Sequence, residues 1–353
     1  MRELRTLDRR HPDFMKHLMG TFSRQHRALP LKSLNPRTET ETVTFEIIPV
    51  KAVGRPPWPV VWLKALRPRS FLQVLVPMAL ILLASPRGSL DPDLSWLATL
   101  GVLFLQAAVL LRNDVEDHVS GLDRLRSDRG SRAIQKGWLT ADHLKGVSFW
   151  LLVFSVLCAL PIMWARPAIL GILLVTALLG GVAFFRSGRG YKDLPGGSWL
   201  LFLLGGPLLV VGYGIAVHGT VTLENLLMGI LWGWFLLFPV HLRDLEHLIA
   251  EGQSGRGSLV GRLGFDRGVK LIGWWWICGV AAFAFYQERV GAPLVFWILL
   301  FLVVLGSSFF MRDLRRLRSP AGSAVADLRR QGELSSYALV LLWILEELWR
   351  HPL

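Results

Sequence analysis

The chain has 353 residues, of which 52% are hydrophobic, and its mean hydropathy is +0.43. A soluble domain of this length rarely reaches that balance, because so much apolar surface needs an environment other than water, so the composition excludes an ordinary soluble protein. The 15 Trp residues fit the boundary of a bilayer, where amphipathic rings are favoured. The net charge of +13 is explained by basic loops between membrane spans, and we expect no nucleic-acid partner.

Residues 1–57 differ from the rest of the chain. They are polar and basic, they include several prolines, and 38–44 reads TETETVT. Such a composition buries too little apolar area to order a chain, and it contains no apolar core of a signal peptide. We therefore predict a disordered cytoplasmic tail over 1–57, which carries no chemistry and can be deleted at little cost. A membrane domain is expected over 58–353.

Nine apolar runs follow, and each is a candidate membrane span. A helix needs about 20 residues to cross the hydrocarbon, so several of these helices must extend into the flanking residues. The ninth is the weakest because Glu346 and Glu347 lie in its final turn, and a helix lying in the interface is the alternative there. The pattern predicts an all-α, multi-pass membrane protein with about nine transmembrane helices. The runs are 71–86, 94–111, 147–165, 167–185, 198–217, 223–240, 268–286, 291–311 and 335–349.

The charges between the runs predict the orientation. Residues 112–146, 186–197, 241–270 and 312–335 carry seven, three, five and six Lys or Arg, whereas each alternate connection carries one or none. Basic loops stay on the cytoplasmic side of a membrane. We therefore expect a protein of the inner (plasma) membrane whose N-terminus is cytoplasmic. The loops after the second and sixth runs then lie on the cytoplasmic face.

An acidic cluster begins where the second run meets water, in the segment NDVEDHVSGLD. Asn113, Asp114 and Asp117 are three or four residues apart, so they share one face at a helix end. Gly121 permits a turn that brings Asp123 back towards them. Such hard oxygen ligands suit Mg²⁺, which would also allow the carboxylates to hold a diphosphate. A solvated loop of mixed charge is the alternative, but carboxylates that begin inside an apolar helix are costly and usually functional. The basic residues behind this first cluster suit phosphate oxygens; they are Arg124, Arg126, Arg129, Arg132 and Lys136.

A second cluster follows the sixth run, as HLRDLEHLIAEGQSGRGSLVGRLG over 241–264. Arg243 and Asp244 are adjacent, and Glu251 lies seven residues after Asp244. The two carboxylates therefore share a helix face, about 10 Å apart along the axis. Arg256 lies in the glycine-rich loop that follows. A plain cytoplasmic loop would explain this segment nearly as well, but its position on the same face as the first cluster makes a functional reading more specific.

Several segments together resemble the UbiA-type aromatic prenyltransferases, and within them the 1,4-dihydroxy-2-naphthoate polyprenyltransferase branch of menaquinone synthesis. The first cluster, with Arg132 and QKG at 135–137, is similar to the first signature of that family. The likeness covers about residues 60–310. The other matching segments are WLKALRPRSF at 62–71, which resembles the entry to the first helix, GGPLLVVG at 205–212, which resembles the Gly-Pro segment, and LRD at 242–244 with GRGSLVGRLG at 255–264, which resembles the second signature.

The resemblance implies that the helices surround a central cavity open to the cytoplasm. It also implies an Mg²⁺-dependent enzyme that ionises an allylic polyprenyl diphosphate. The prenyl group would pass to an aromatic acceptor, a quinone precursor such as 1,4-dihydroxy-2-naphthoate. The implied catalytic residues are Asp117, Asp244 and Arg243. The implied metal ligands are Asn113, Asp114, Asp117, Asp123, Asp244 and Glu251. The residues implied to bind substrates are Asn113, Arg132, Lys136, Arg256 and Tyr191. The ring of Tyr191 would stabilise the allylic cation, and a membrane anchor is the alternative for it.

A departure from the family leaves alternatives open. Relatives commonly carry an Asp four residues after the Arg-Asp pair, where this chain has Leu248, and a three-residue insertion would give that role to Glu251. An inactive relative, or a membrane carrier of a lipid or aromatic ligand, is therefore the alternative function. Carriers are expected to place their charges near the middle of the bilayer, whereas both clusters here lie at helix ends. The prenyl chain length and the oligomeric state are not predicted.

Overall fold

The computed structural model of the chain describes residues 3–35, 38–85, 90–125, 131–182, 196–249 and 258–351. The chain divides into two compact units. The first takes in the described residues of 1–72 and 100–159, and the second takes in those of 73–99, 160–183 and 191–353.

The first unit begins with a three-stranded antiparallel sheet. Its strands are Glu3–Asp8 (β1), His26–Leu34 (β2) and Thr42–Pro49 (β3), in the order β1-β3-β2, and a short helix, Phe14–Met19 (α1), connects the first two. Buried residues alternate with more exposed ones along β3, as a half-buried strand requires. The buried face forms a small apolar core, whose members are Leu7, Phe14, Leu18, Val43 and Phe45.

The disordered tail that we predicted over 1–57 is therefore wrong for the described residues of this segment. The prediction took the Thr and Glu content of 38–44 as a sign of disorder. It overlooked the period-two alternation of Val43, Phe45 and Ile47, which are all buried and which indicate a strand. Three strands with an apolar face covered by a helix meet the minimum that a small sheet needs for stability. The domain boundary at residue 58 stays a prediction.

Helices make up the rest of the first unit. They are Trp58–Leu66 (α2), most of Pro92–Ser120 (α4), Leu122–Leu125 (α5) and most of Ala141–Ala165 (α6). Two hydroxyl groups join α4 to α6: Ser148 Oγ donates to the Ala108 carbonyl and Ser155 Oγ to the Gly101 carbonyl, each at 2.8 Å. Such bonds satisfy polar groups that an apolar environment would otherwise leave unpaired.

The second unit is built around one helix, Leu223–Glu246 (α10). In its apolar window 72% of the residues are buried, more than in any other described candidate span. The helices packed against it are Gly197–Gly205 (α8), Pro207–His218 (α9), Leu259–Leu263 (α11), Phe265–Arg289 (α12) and Ser323–Arg350 (α14). The other helices of the unit are most of Leu72–Ala84 (α3), Ile169–Gly180 (α7) and Leu294–Arg316 (α13).

The Gly-Pro segment brings the backbones of these helices into contact. Gly206 lies at the break between α8 and α9, and a Cβ at this position would lie 2.6 Å from the Gly229 carbonyl oxygen and 2.7 Å from the Gly233 Cα of α10. Pro207 begins α9, where its missing N–H costs nothing. The close approach explains why glycine occupies all three positions.

Six helical segments among the described residues are long and apolar enough to cross a membrane, with α8 and α9 counted together as Gly197–His218. A seventh span arises if Trp58–Leu66 and Pro68–Ala84, bent by 43°, are counted as one. The protein is thus mostly helical and membrane-embedded, with the N-terminal sheet as an addition to the predicted all-α class. Nine spans are not confirmed. The predicted run at 167–185 includes α7, and residues 183–185 of this run lie outside the described residues. The ninth run lies in α14, which is not among the six.

Replacing Gly206 with Ala is expected to destabilise the second unit, because the added methyl group has only rigid backbone to displace. Overpacking of this kind costs about 1–3 kcal/mol. The measurement is thermal unfolding in detergent, followed by tryptophan fluorescence. Gly171→Ala is the matched control, since a Cβ there meets nothing within 4 Å. Equal unfolding temperatures for the two variants would contradict the close approach.

Candidate active site

The first cluster lies at the C-terminal end of α4. Asn113, Asp114 and Asp117 occupy its last turns, and the helix ends at Ser120. Gly121 follows with a left-handed φ of 84°, and the short helix α5 then carries Asp123. The turn that the sequence predicts at Gly121 is therefore present.

Asp114 is buried and has an arginine partner. The Nη2 of Arg67 donates to Asp114 Oδ1 at 2.8 Å and to the Leu110 carbonyl at 3.3 Å. Arg67 follows α2 in the WLKALRPRSF segment, and its φ of 51° turns the chain there. No local pattern in this segment of the sequence indicates the contact of Arg67 with Asp114. One oxygen of Asp114 is thus committed to Arg67, and its role as a metal ligand stays a prediction.

Asp123 belongs to a chain of hydrogen bonds. The Gln135 amide donates to Asp123 Oδ2 and lies 3.4 Å from His118 Nδ1, and His118 Nε2 lies 3.0 Å from the Leu18 carbonyl. A carbonyl only accepts, so His118 donates from Nε2 and its Nδ1 is left to accept from Gln135. His118 is 1% exposed, so it orients Gln135 rather than meeting solvent.

The carboxylates of the first cluster influence one another. Burial first, and then the negative charges of Asp117 and Asp114, raise the pKa of the Asp123 carboxyl to about 7, because each of these disfavours its charged form. A divalent cation would relieve this repulsion, and carboxylate oxygens are the ligands that Mg²⁺ prefers. The donor set therefore fits magnesium. Among the residues that the structure describes, however, no three His, Cys, Asp or Glu side chains are close enough together to hold a metal ion.

The basic residues behind the cluster divide into two kinds. Arg124 is bound by Glu41 at 2.6 Å, with its side chain 5% exposed, and is not available to a phosphate. Lys136 is exposed, with its Nζ 4.8 Å from the centre of the Trp138 ring. Arg132 lies between them with a φ of 54°. Lys136 and Arg132 remain the predicted phosphate-binding groups, and Arg126 and Arg129 lie outside the described residues.

The second cluster lies at the C-terminal end of α10. Asp244 is 2% exposed. Next to it, Arg243 donates from Nε to the Pro239 carbonyl at 3.2 Å and lies 3.9 Å from Glu333 of α14. Glu246 approaches Arg329 of the same helix at 2.8 Å. These ion pairs fix the end of α10 against α14, a contact that sequence reasoning missed.

Three of the predicted site residues, Tyr191, Glu251 and Arg256, lie outside the described residues. The structure resumes at Ser258, whose Oγ accepts from the Gly261 N–H at 3.1 Å and caps α11. The two clusters belong to different units, so the metal site shared by Asp117 and Asp244, which the resemblance implies, stays a prediction.

The helical fold and the acidic clusters at helix ends define an integral membrane protein with a polar site. The model of the UbiA prenyltransferase family matches residues 74–329, more than half of the chain, so the chain belongs to that family. The predicted resemblance is thereby confirmed, and the protein is a prenyltransferase.

Individual relatives agree with this membership. A 1,4-dihydroxy-2-naphthoate octaprenyltransferase from Escherichia coli (strain K12) is 25% identical over 213 residues, which cover 58% of this chain and 68% of the relative. A solved digeranylgeranylglyceryl phosphate synthase has a TM-score of 0.61 at 17% identity, over 82% of this chain and 99% of its own. A UbiA homologue from Archaeoglobus fulgidus, bound to GPP and Mg²⁺, has a TM-score of 0.56 at 15% identity, over 80% of this chain and 99% of the homologue. At such identities the two structures establish the fold alone.

Magnesium binding is expected to depend on pH through Asp123. The resemblance implies that Asp123 is a metal ligand, and below a pKa of about 7 a metal at this carboxyl would have to displace a proton. Lowering the pH from about 8 to about 6 should therefore raise the Mg²⁺ concentration for half-maximal turnover about tenfold. Asp123→Asn should weaken metal binding and remove most of this dependence, whereas Asp142→Asn, an exposed change in the same unit, should not. An unchanged pH profile in Asp123→Asn would rule out Asp123 as the titrating group.

Proposed function

We propose that this prenyltransferase transfers a polyprenyl group from an allylic polyprenyl diphosphate to an aromatic acceptor, with Mg²⁺ as cofactor. The observation that carries the proposal is the family match, which extends across both acidic clusters. The mutual repulsion of the first-cluster carboxylates supports it, because such a site gains from a divalent cation. The Mg²⁺ and GPP bound to the Archaeoglobus fulgidus homologue support the same cofactor and substrate class.

For the acceptor, we propose a quinone precursor such as 1,4-dihydroxy-2-naphthoate, which places the enzyme in menaquinone synthesis. The support is the name of the Escherichia coli relative and the likeness of the first signature to that branch. We further propose that the active site faces the cytoplasm at the inner membrane, since the loops bearing both clusters are rich in Lys and Arg.

The proposed metal ligands are Asn113, Asp114, Asp117 and Asp123 from the first cluster with Asp244 and Glu251 from the second. Magnesium, when bound, would neutralise the charge of the diphosphate. Arg132, Lys136, Arg243 and Arg256 stabilise the negative charge that grows on the leaving diphosphate as the C–O bond breaks. Tyr191 is the proposed residue whose ring would stabilise the allylic cation. An electron-rich carbon of the acceptor then bonds to the cation, and the ring loses a proton to regain aromaticity.

The direct test uses the purified full-length protein in detergent or nanodiscs with magnesium. Labelled polyprenyl diphosphates of several lengths are incubated with a panel of aromatic acids, and products are identified by mass. A product that joins a prenyl group to an aromatic ring is expected. Binding of the diphosphate without transfer to any acceptor would favour the inactive relative or the carrier instead.

Asp117→Asn and Asp244→Asn are each expected to lower turnover about 100-fold or more, because each change removes a charge from the metal site and little packing volume. The measurement is the turnover rate at saturating Mg²⁺, with folding checked by thermal unfolding. The matched controls are Asp142→Asn and Asp266→Asn, which alter exposed carboxyls at helix starts in the same two units. Normal turnover in either Asp117→Asn or Asp244→Asn would mean that the site lies elsewhere.

Glu251→Gln is expected to raise the magnesium requirement sharply and to lower turnover, because Glu251 is proposed to replace the acid missing at Leu248. Glu246 is the other acid nearby, but its carboxylate is already committed to Arg329. Glu246→Gln is therefore the matched control and should change the magnesium titration little. If Glu251→Gln and the parent protein give the same titration, the second cluster depends on Asp244 and Arg243 alone.

A further inference from the structure

The N-terminal sheet lies before the region that matches the family, which begins at residue 74, yet it packs directly on the first cluster. Its apolar core contacts Val119, in the last turn of α4. The Leu18 carbonyl accepts from His118 of the same turn. Further along, a Cβ at Gly20 or at Gly137 would collide with Thr140 or with Leu29. The sheet thus covers both α4 and the segment that carries Gln135.

At the centre of this contact lies a buried carboxylate, Glu41, whose side chain is 0% exposed. Its Oε1 accepts from Arg124 Nη2 at 2.6 Å, from Arg124 Nε at 3.2 Å and from Ser33 Oγ at 2.9 Å, and its Oε2 accepts from Arg9 Nη1 at 2.9 Å. Two arginines and a hydroxyl therefore satisfy both oxygens. A buried charge that is so fully bonded has a fixed position.

Arg124 transmits this position to the first cluster. While two of its nitrogens hold Glu41, Nη1 donates to the His118 carbonyl at 2.9 Å, one of the last carbonyls of α4, which lack partners within the helix. Gly121 lies beneath the pair, and a Cβ there would be 2.7 Å from Arg124 Nη2 and 3.2 Å from Glu41 Oε1. Arg124 thus closes the turn at Gly121, and Asp123 lies between these two residues in the sequence.

We propose that Glu41 is a positioning residue of the prenyltransferase, which through Arg124 holds the turn at Gly121 so that the Asp123 carboxylate stays beside Asp117. The proposal rests on the proposed function in one respect, the use of Asp123 as a metal ligand. It also reverses our expectation that the N-terminal segment is dispensable. Deletion of residues 2–50 removes Glu41 together with all its partners in the sheet and leaves Arg124 without its carboxylate.

The test compares metal binding in the full-length parent protein and in Glu41→Gln. Binding is measured with Mn²⁺ by electron paramagnetic resonance, and turnover is measured over a Mg²⁺ titration. Loss of a group that orients a metal ligand typically weakens binding about 10- to 100-fold. Glu41→Gln is expected to weaken Mn²⁺ binding and raise the Mg²⁺ requirement by such a factor, while kcat at saturating Mg²⁺ stays within a few-fold. Glu39→Gln is the matched control. The Glu39 side chain is 92% exposed, and its ion pair with Arg10 is long, at 3.7 Å.

A double variant separates positioning from general damage. If Glu41 acts through Asp123, then Glu41→Gln combined with Asp123→Asn should bind Mn²⁺ no more weakly than Asp123→Asn alone. A full additional loss in the double variant, or parent-like binding in Glu41→Gln, would overturn the proposal. If Glu41→Gln does not fold, the positioning role is tested with Arg124→Lys instead. It keeps the buried charge but cannot reach Glu41 and the His118 carbonyl together, and parent-like Mn²⁺ binding in that variant would also overturn the proposal.

Failure of the proposed function and failure of the positioning role give different results. If the parent protein transfers no prenyl group to any acceptor, the proposed function is wrong, while the Mn²⁺ titrations still measure the effect of Glu41. If the parent protein is active and its metal binding is insensitive to Glu41→Gln, only the positioning role is wrong.

Discussion

Negative charge accumulates at the end of α4, and the first unit is organised around its compensation. The C-terminal end of a helix is already the negative end of its dipole, and Asp114 and Asp117 add carboxylates in its last turns. Arg67 neutralises Asp114 from outside the helix, and Arg124 caps the His118 carbonyl. The carboxylates that remain repel one another. In the proposed function that repulsion favours a bound divalent cation, so the charge that destabilises the helix end also creates the binding site.

Negative charge also lies at the C-terminal end of α10, where it is compensated in a different way. Asp244 lies two residues before the helix ends, and the charges around it are bonded to α14 through Arg243, Glu246, Arg329 and Glu333. These side chains are partly exposed, so each pair contributes only about 0–1 kcal/mol to stability. Their effect is mainly geometric, since a network of several pairs permits only one placement of the helix end.

Features written in short stretches of sequence were predictable, and contacts between distant residues were not. The apolar runs gave the membrane helices, and the spacing of Asn113, Asp114 and Asp117 gave the first cluster with its turn. The ion pairs Arg67–Asp114 and Glu41–Arg124 join residues 47 and 83 positions apart. No local sequence pattern predicts contacts of this kind. The sheet was not predicted for a different reason. The alternation of apolar and polar residues in β3 is present in the sequence, but the polar composition of 1–57 was given more weight. Of the nine predicted spans, the described helices confirm six, or seven with the bent pair counted as one.

The separation of Glu41 from Arg124 has a consequence for how the protein is made. All three strands are synthesised before α4, and at about 5–20 residues per second Arg124 is added roughly 4–17 seconds after Glu41. The ion pair between them therefore cannot form until α4 and the turn after it have been made. The buried position of Glu41 is thus completed late in synthesis, by a residue 83 positions downstream.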